Sequence, residues 1–140
     1  MTRRIYLVGS LRNPNILVIA KRLRDAGHEV FDDWFAAGPN ADDIWRDYEK
    51  VRGRTFVEAL AGPHAETVFT FDRTNILARD TVVLVLPAGK SAHLELGVAC
   101  QAGKSTHILM EEENERWDIM YRFADQVHVT LESLIDALRR

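Results

Sequence analysis

A short, almost wholly apolar run that leads through small residues into a helix is the strongest constraint on the fold of this chain. Residues 81–86 are apolar apart from Thr81, a pattern typical of a parallel strand that is covered on both faces. A turn at 87–89 follows, and Ser91 is predicted to be the N-cap of a helix that ends near Ala102. A strand that enters a helix in this way is typical of alternating α/β proteins, whose sheets are parallel.

The rest of the chain repeats this alternation of strand and helix. Further strands are predicted at 5–8, 28–31, 106–110 and 126–129, and helices at 14–26, 64–78, 117–124 and 131–140. A polar stretch at 41–60 has loosely spaced apolar residues and Gly53 near its middle, so we predict two short helices or one broken helix there. The alternation predicts a doubly wound α/β fold, with a five-stranded parallel sheet in the flavodoxin/Rossmann-like order 2-1-3-4-5.

Length and charge limit the class of protein. The chain has 140 residues, of which 46% are apolar, so we expect a single domain over residues 1–140. Its formal charge is -3 and its pI is near 5.9, which gives no basic field of the kind that accompanies binding to duplex nucleic acid. We therefore exclude polymeric nucleic acid as a partner and favour a small molecule.

Cysteine content and hydropathy bear on the cellular compartment. Cys100 is the only cysteine, so no internal disulfide can form, and the chain suits a reducing compartment. The apolar run after Met1 is too short for a signal peptide, and no run approaches the length of a membrane span. We expect a cytoplasmic protein with no membrane partner. Since the histidines share no ligand spacing, we expect no metal site, and we expect no cofactor.

One carboxylate falls where open α/β sheets bind ligands. Glu95 is predicted in the first turn of the helix that follows the central strand, near the carboxyl edge of the sheet. There the unpaired N–H groups and the helix dipole favour its ionised form, and an ionised carboxylate can act as a nucleophile. Ordinary capping is the alternative role for an acidic residue in a first turn.

Two glycine-containing loops do not match known phosphate motifs. Gly89–Ser91 lacks the glycine that a phosphate loop needs five residues earlier, where Leu84 stands, and Gly9 is not followed by the second glycine of a dinucleotide fingerprint. The loop after the first strand still precedes a helix. The backbone of Gly9, the Ser10 hydroxyl and the Arg12 guanidinium are therefore predicted to hold an anion. Alternatively, Ser10 and Asn13 cap the helix and Arg12 is solvated.

Three segments resemble a known family in their order and spacing. The first is Tyr6–Arg12 at the first strand and its loop, the second is Asp72, eight residues before Asp80, and the third is Glu95–Lys104. Together they are similar to the nucleoside 2-deoxyribosyltransferase family, including the nucleoside 5′-monophosphate N-glycoside hydrolases. The resemblance implies a small-molecule nucleoside or nucleotide as substrate. It also implies a homo-oligomer, because neighbouring subunits in this family commonly help to complete the site.

The resemblance also implies the catalytic residues. In this family a glutamate attacks the anomeric carbon of the sugar, a tyrosine near the first strand orients it, and an aspartate assists the base. The corresponding residues are Glu95, Tyr6 and Asp72. Cleavage of an N-glycosidic bond passes through an oxocarbenium-like state, so an ionised carboxylate and a second acid are the groups that this chemistry needs. For Asp72 the alternative is a solvated helix residue that pairs with Arg73 or Arg79.

The residues before the implied nucleophile depart from the transferases, which usually have an aspartate and a Gly-Thr-like pair there. The residues in this region are Gly89, Lys90, Ser91 and His93. Their cationic and hydroxyl donors suit a phosphorylated substrate, although His93 can instead be a merely exposed residue. Trp34 is predicted to stack on the base, together with Phe35 and Trp45, unless these rings fill core or a subunit contact.

The predicted function is cleavage of the N-glycosidic bond of a (deoxy)nucleoside or its 5′-monophosphate through Glu95. The bond is broken by hydrolysis or by transfer to another base, and we prefer hydrolysis. One alternative is a non-catalytic sensor that binds a nucleotide in the same crevice. A second is a glycohydrolase that cleaves a dinucleotide such as NAD, which needs the same carboxylate and a longer groove. Release of free base from a panel of substrates separates the three.

Overall fold

The structure is a computed structural model that describes residues 1–140. Its sheet consists of the parallel strands β1 (Arg4–Val8), β2 (Glu29–Phe31), β3 (Thr81–Val85), β4 (Ser105–Leu109) and β5 (Gln126–His128). The α-helices are α1 (Asn15–Asp25), α2 (Ala41–Val51), α3 (Phe56–Leu60), α4 (Pro63–Leu77), α5 (Lys90–Gln101) and α6 (Leu131–Leu138). Short 3-10 helices cover Asp33–Ala37 and Ile119–Phe123. The strand order β2-β1-β3-β4-β5 confirms the predicted doubly wound α/β fold.

Two apolar cores lie on opposite faces of the sheet. Side chains alternate along a strand, so Ile5 and Leu7 of β1 face one side while Tyr6 and Val8 face the other. The first side is covered by α1 and α6, and the second by α5. β3 is central and buried along its whole length, as the apolar run at 81–86 predicts.

The insert between β2 and β3 contains two short helices, which confirms the first alternative predicted for 41–60. α2 ends shortly before Gly53, whose φ of 73° is a backbone conformation that glycine adopts readily. α3 then begins at a capping box, in which the side chains of Thr55 and Glu58 each accept a hydrogen bond from the backbone N–H of the other. The break in the insert is therefore fixed by local chemistry.

α4 differs from its prediction in the side chains that face the sheet. The sequence pattern predicts four inward residues, Val68, Phe71, Ile76 and Leu77. Only Ile76 of these is buried, and the other three are exposed. The reason is that the apolar residues are spread around this helix instead of forming one stripe. Only one side of the helix meets the sheet, where Ile76 is buried and the Phe71 ring lies 5.9 Å from that of Phe31.

The segment between β4 and β5 is less helical than predicted. Residues 117–124 contain only the 3-10 helix Ile119–Phe123 in place of an α-helix. The Asp118 carboxylate accepts a hydrogen bond from the Met120 backbone N–H at 2.8 Å, and the chain turns tightly there. The predicted α-helix at 117–124 is therefore wrong.

Candidate active site

Glu95 lies two residues deeper in α5 than predicted. Gly89 is the N-cap, with extended backbone angles (φ -93°, ψ -157°), and the helix begins at Lys90. Ser91 is therefore a first-turn residue that does not cap the helix, and Glu95 falls in the second turn. The predicted stabilisation of Glu95 by the helix end is wrong, because that effect falls off within the first turn.

Burial sets the ionisation of Glu95. The side chain is mostly buried, and desolvation raises the pKa of its carboxyl from 4.5 to about 7. The negative charge of Asp72 acts in the same direction, while the Tyr6 hydroxyl lowers the pKa. Burial therefore acts against the ionised form that the helix end is predicted to favour.

Tyr6 is the residue of β1 that lies beside Glu95. Its side chain is fully buried, and its ring stacks on Phe31 with the ring centroids 5.2 Å apart. The Tyr6 hydroxyl is close enough to Glu95 to lower the carboxyl pKa. It makes no hydrogen bond with both a good distance and a good angle. Burial and the charges of Glu95 and Asp72 raise the pKa of this phenol well above its usual value. Tyr6 is thus a neutral, unpaired donor beside the carboxyl group.

Asp72 completes a cluster of three groups from three elements. It lies on α4, is partly buried, and has a raised carboxyl pKa because of desolvation. No cation contributes to that pKa, so the alternative pairing with Arg73 or Arg79 does not form. β1, α4 and α5 therefore bring Tyr6, Asp72 and Glu95 close enough for their charges to affect one another.

Gly9 brings the loop after β1 close to the sheet. A Cβ at Gly9 would lie 2.5 Å from the Ile16 Cδ1 atom and 3.3 Å from the Val85 carbonyl oxygen, so a larger residue here would have to displace the Ile16 side chain. The Ser10 hydroxyl accepts a hydrogen bond from the Arg12 N–H at 3.1 Å, which shapes the turn. This loop lies at the carboxyl end of β1, next to the carboxyl end of β3.

Arg12 is exposed and already has partners. Its Nε donates to the Pro39 carbonyl oxygen at 3.3 Å, and its Nη2 lies 3.5 Å from an Asp43 carboxylate oxygen. Both members of this ion pair are largely exposed, so it contributes little stability and an anion can replace Asp43. Arg12 is therefore an exposed side chain with weak contacts to the insert, and anion binding stays a prediction for it.

The first turn of α5 exposes Lys90 and Ser91 and anchors His93. The His93 Nδ1 lies 2.7 Å from the Gly89 carbonyl oxygen, and its Nε2 lies 2.9 Å from the Tyr121 hydroxyl oxygen. A carbonyl oxygen can only accept, so Nδ1 carries the proton and the Tyr121 hydroxyl donates to Nε2. His93 is thus tied to the segment between β4 and β5. Sequence reasoning missed Tyr121, because no local signal marks a contact between residues 28 positions apart.

Trp34 follows β2 and packs beside the end of β1, and its indole N–H is hydrogen-bonded to the backbone. Its Nε1 donates to the Leu7 carbonyl oxygen at 2.7 Å, and its ring meets Phe35 edge-on with the centroids 5.8 Å apart. Trp45 lies in the insert and meets Phe56 with the centroids 6.3 Å apart. These are the contacts of packing residues, and base stacking stays a prediction for Trp34.

The structure contains neither a metal-binding cluster nor a helix that could cross a membrane. No three His, Cys, Asp or Glu side chains converge as a metal ion requires. Two histidines do meet across β4 and β5, where His107 Nδ1 lies 3.0 Å from His128 Nε2. Two surface cavities of about 330 and 410 Å³ lie beside β5, and neither is lined by Tyr6, Asp72 or Glu95. None of the helices combines the length and apolar character that crossing a bilayer requires.

The cluster lies where the strand order reverses. β1 and β3 are neighbours in the sheet, Tyr6 and Gly9 belong to the first of them and its loop, and Glu95 follows the second. In open α/β sheets, ligands bind at such a switch point, outside the carboxyl ends of the strands. The fold and the site together define a doubly wound α/β protein with a largely buried acid–tyrosine cluster beside the switch point of its sheet.

Known proteins resemble this chain in fold. No protein-family model matches it, and a search of curated proteins finds no match. Among solved structures it is similar to the CMP N-glycosidase BcmB of Clostridium botulinum (TM-score 0.56, 16% identity, 99% of this chain and 100% of that chain). It is also similar to a conserved protein of Enterococcus faecalis V583 (TM-score 0.66, 14% identity, 99% and 98%). A third similar structure is the 2-deoxyribosyltransferase of Bacillus psychrosaccharolyticus (TM-score 0.62, 20% identity, 95% and 90%).

These similarities extend over nearly the whole length of each chain. At identities of 14–20% they establish a shared fold. The fold that the resemblance to the nucleoside 2-deoxyribosyltransferase family implies is thereby confirmed.

Proposed function

We propose that the protein is an enzyme that cleaves the N-glycosidic bond of a nucleoside or nucleoside 5′-monophosphate, with Glu95 as the nucleophile. The observation that carries this proposal is the burial of Glu95 beside Asp72 and Tyr6 at the carboxyl edge of the sheet. Two acids and a neutral donor are the groups that this chemistry needs. A CMP N-glycosidase and a 2-deoxyribosyltransferase share the fold, which supports the same assignment.

In the first step, the ionised form of Glu95 attacks C1′ of the sugar. A bond forms between a Glu95 carboxylate oxygen and C1′, the bond from C1′ to the base nitrogen breaks, and its electron pair leaves with the base. Asp72 gives a proton to the departing base, and the burial that raises its carboxyl pKa acts in the direction that this role needs. Tyr6 donates to the other carboxylate oxygen of Glu95 and holds the group in position.

In the second step, water attacks C1′ and releases the sugar. The ester bond to Glu95 breaks, its electron pair returns to the carboxylate, and the proton of the water returns to Asp72. A second base that takes the place of water would give transfer from the same intermediate. We favour hydrolysis because residues 89–93 lack the aspartate and the Gly-Thr-like pair that the transferases usually have.

A 5′-phosphate has potential donors on both sides of the switch point. Ser10 and the backbone after β1 lie on one side, and the exposed Lys90 and Ser91 lie at the N-terminus of α5 on the other. Arg12 can join them by exchanging its weak contact with Asp43 for the phosphate. We therefore propose a 5′-monophosphate in preference to the free nucleoside.

Replacement of Glu95 tests the proposal. Glu95→Gln keeps the size of the side chain but removes the attacking oxygen anion, so the release of free base should fall by about 10³-fold or more. The matched control Glu132→Gln neutralises an exposed carboxyl on α6 and should leave the rate unchanged. Free base is measured by chromatography across a panel of nucleosides, monophosphates and NAD.

The same panel separates the alternatives. Undiminished base release by Glu95→Gln contradicts the proposal. Tight binding of an intact nucleotide without any base release, on prolonged incubation, identifies a nucleotide sensor. Release of nicotinamide from NAD, with no activity on mononucleotides, identifies a dinucleotide glycohydrolase.

A further inference from the structure

A chain of polar side chains leads from β4 through β5 to an exposed hydroxyl group on α6. His107 of β4 and His128 of β5 are 3% and 5% exposed, and the His107 Nδ1 lies 3.0 Å from the His128 Nε2. The other ring nitrogen of His128, Nδ1, lies 2.9 Å from the hydroxyl oxygen of Ser133. Ser133 is exposed, so two buried imidazoles end on a hydroxyl group that a solute can reach.

The order of the protons along this chain decides its chemistry. In one order the Ser133 hydroxyl donates to His128 Nδ1, and the Nε2–H of His128 donates to His107. His107 then donates from Nε2 to the Ser105 hydroxyl oxygen at 3.0 Å, which also accepts from the Arg3 Nη1 at 3.2 Å. The reverse order fits the same distances and makes Ser133 an acceptor. Only the first order lets His128 accept the proton of the serine.

The Ser133 hydroxyl borders a cavity of about 330 Å³, whose lining includes His128, Asp136 and Arg140. Pockets for small ligands begin at about 300 Å³. The Arg140 guanidinium has only a weak partner there, since it lies 3.7 Å from the Asp136 carboxylate and both side chains are largely exposed. It is therefore available to a negative charge that develops on an oxygen of a bound molecule.

The two imidazoles are neutral at neutral pH. Burial lowers the pKa of His128, and burial together with the neighbouring charges lowers that of His107 to about 4. A neutral imidazole can accept a proton, which is the state that a general base needs. A neutral third group stabilises an imidazolium less than a carboxylate does, so we expect activity on esters with a good leaving group.

We propose that Ser133 is the nucleophile of a second site, apart from Glu95, that cleaves small carboxylic esters with His128 as its base. A nucleophile that is hydrogen-bonded to a base, which is in turn oriented by a third group, is the arrangement that covalent catalysis uses. His107 is the third group and a positioning residue, because it contacts only His128 and fixes its tautomer. The site is independent of the reaction proposed at Glu95.

The reaction has two steps. The Ser133 oxygen bonds to the carbonyl carbon of the ester, and its proton passes to His128 Nδ1. The bond from this carbon to the alcohol oxygen breaks, its electron pair leaves with that oxygen, and the alcohol takes the proton from His128. Water then attacks the acyl group, gives a proton to His128, and releases the acid as that proton returns to the serine oxygen.

Cleavage of p-nitrophenyl acetate by the full-length chain tests the site. The wild-type protein should release nitrophenolate with a burst proportional to its concentration. Ser133→Ala should lower the rate by about 10²-fold or more. His128→Asn should lower it by about 10²-fold, because the amide can still contact Ser133 but is not a base. The matched control Glu132→Gln changes the exposed neighbour of Ser133 and should leave the burst unchanged.

The role of His107 is tested by a pair of substitutions. His107→Leu leaves the His128 Nε2 without an acceptor, so the rate of the burst should fall by about tenfold or more while KM stays unchanged. His107→Asn offers an amide oxygen in place of Nδ1 and should restore most of the rate. Equal rates for these two variants would overturn the positioning role.

A fluorophosphonate probe locates the nucleophile by peptide mass spectrometry. The adduct should form on Ser133 and not on Ser91, which is an exposed first-turn serine of α5 without a histidine partner. Because Ser133 is exposed, Ser133→Ala leaves the core intact, and urea unfolding verifies this. A wild-type protein without burst or adduct overturns the proposal. A burst that survives Ser133→Ala, or His128→Asn with the wild-type rate, overturns it equally.

Discussion

The protonation of Glu95 depends on two neighbours that act with opposite sign. Asp72 raises the Glu95 pKa by charge repulsion, whereas the Tyr6 hydroxyl lowers it by stabilising the carboxylate. In the proposed reaction, Glu95 is ionised when it attacks, and Asp72 is protonated when it assists the base. Burial raises the pKa of both carboxyl groups, and that of Glu95 reaches about 7.

Two variants should move the pH dependence of kcat/KM in opposite directions. Asp72→Asn removes a negative charge, so the Glu95 pKa falls and the acidic limb of the profile moves to lower pH. Tyr6→Phe removes a donor to the carboxylate, so the Glu95 pKa rises and the limb moves to higher pH. Loss of the general acid in Asp72→Asn should also lower the maximal rate by about 10²–10⁴-fold.

The control for this pair is Glu66→Gln, which neutralises an exposed residue in the first turn of the same helix as Asp72. Its profile should coincide with that of the wild type. The cluster is contradicted if both active-site variants move the profile in one direction or leave it in place.

The boundaries of the elements at the site depend on contacts that no local pattern contains. The apolar run and the small-residue turn predict β3 and α5 correctly, but the helix begins before Ser91 because Gly89 already has the extended backbone of an N-cap. The sequence pattern predicts an α-helix in place of the 3-10 helix Ile119–Phe123. The contact between Tyr121 of this segment and His93 is visible only in three dimensions. Sequence thus locates these elements without fixing their ends.

Tyr121→Phe should loosen the segment between β4 and β5. The variant removes a 2.9 Å hydrogen bond to His93, so the free energy of unfolding should fall by about 0.5–1.5 kcal/mol. Amide hydrogen exchange should become faster in residues 111–125 and stay unchanged in β3. A double-mutant cycle with His93→Ala measures the coupling of the pair. Strictly additive losses of stability in that cycle would contradict the contact.

At the scale of the whole molecule, topology was more predictable than the environment of individual groups. Alternating strands and helices and the rule of right-handed crossovers leave few strand orders, and the observed order is the predicted one. The order and spacing of three segments predict which residues form the candidate site. They do not predict the burial that raises the Glu95 pKa, because that burial depends on tertiary packing. The contact between His107 and His128 and the exposure of the apolar residues of α2 are equally hard to predict, because each depends on which elements pack together.

Two buried groups give the stability of the molecule opposite dependences on pH. The Glu95 pKa is raised from 4.5 to about 7 on folding, so its contribution to the free energy of unfolding is lost as pH rises through that range. The His107 pKa is lowered from 6.5 to about 4, mainly by burial, so its contribution is lost as pH falls through that range. Between about pH 4.5 and 6.5 the two effects oppose each other.

Glu95→Gln should therefore reveal the histidine contribution. Without the titration of Glu95, the free energy of unfolding of the variant should rise with pH between 4 and 6.5. At pH 8 this free energy should exceed that of the wild type by up to about 3 kcal/mol. Urea unfolding across this pH range measures both effects, with Glu132→Gln as the control. A variant with the same pH dependence as the wild type would show that Glu95 is not buried as described.

The most direct test of the central claim is a search for the covalent bond between Glu95 and the sugar. The protein is incubated with each member of the nucleoside and monophosphate panel, quenched in acid, and analysed by intact and peptide mass spectrometry. We predict the added mass of a sugar or sugar phosphate on the peptide that contains Glu95, and no added mass in Glu95→Gln. Release of free base with the adduct on another residue, or with Glu95→Gln still active, would contradict the account.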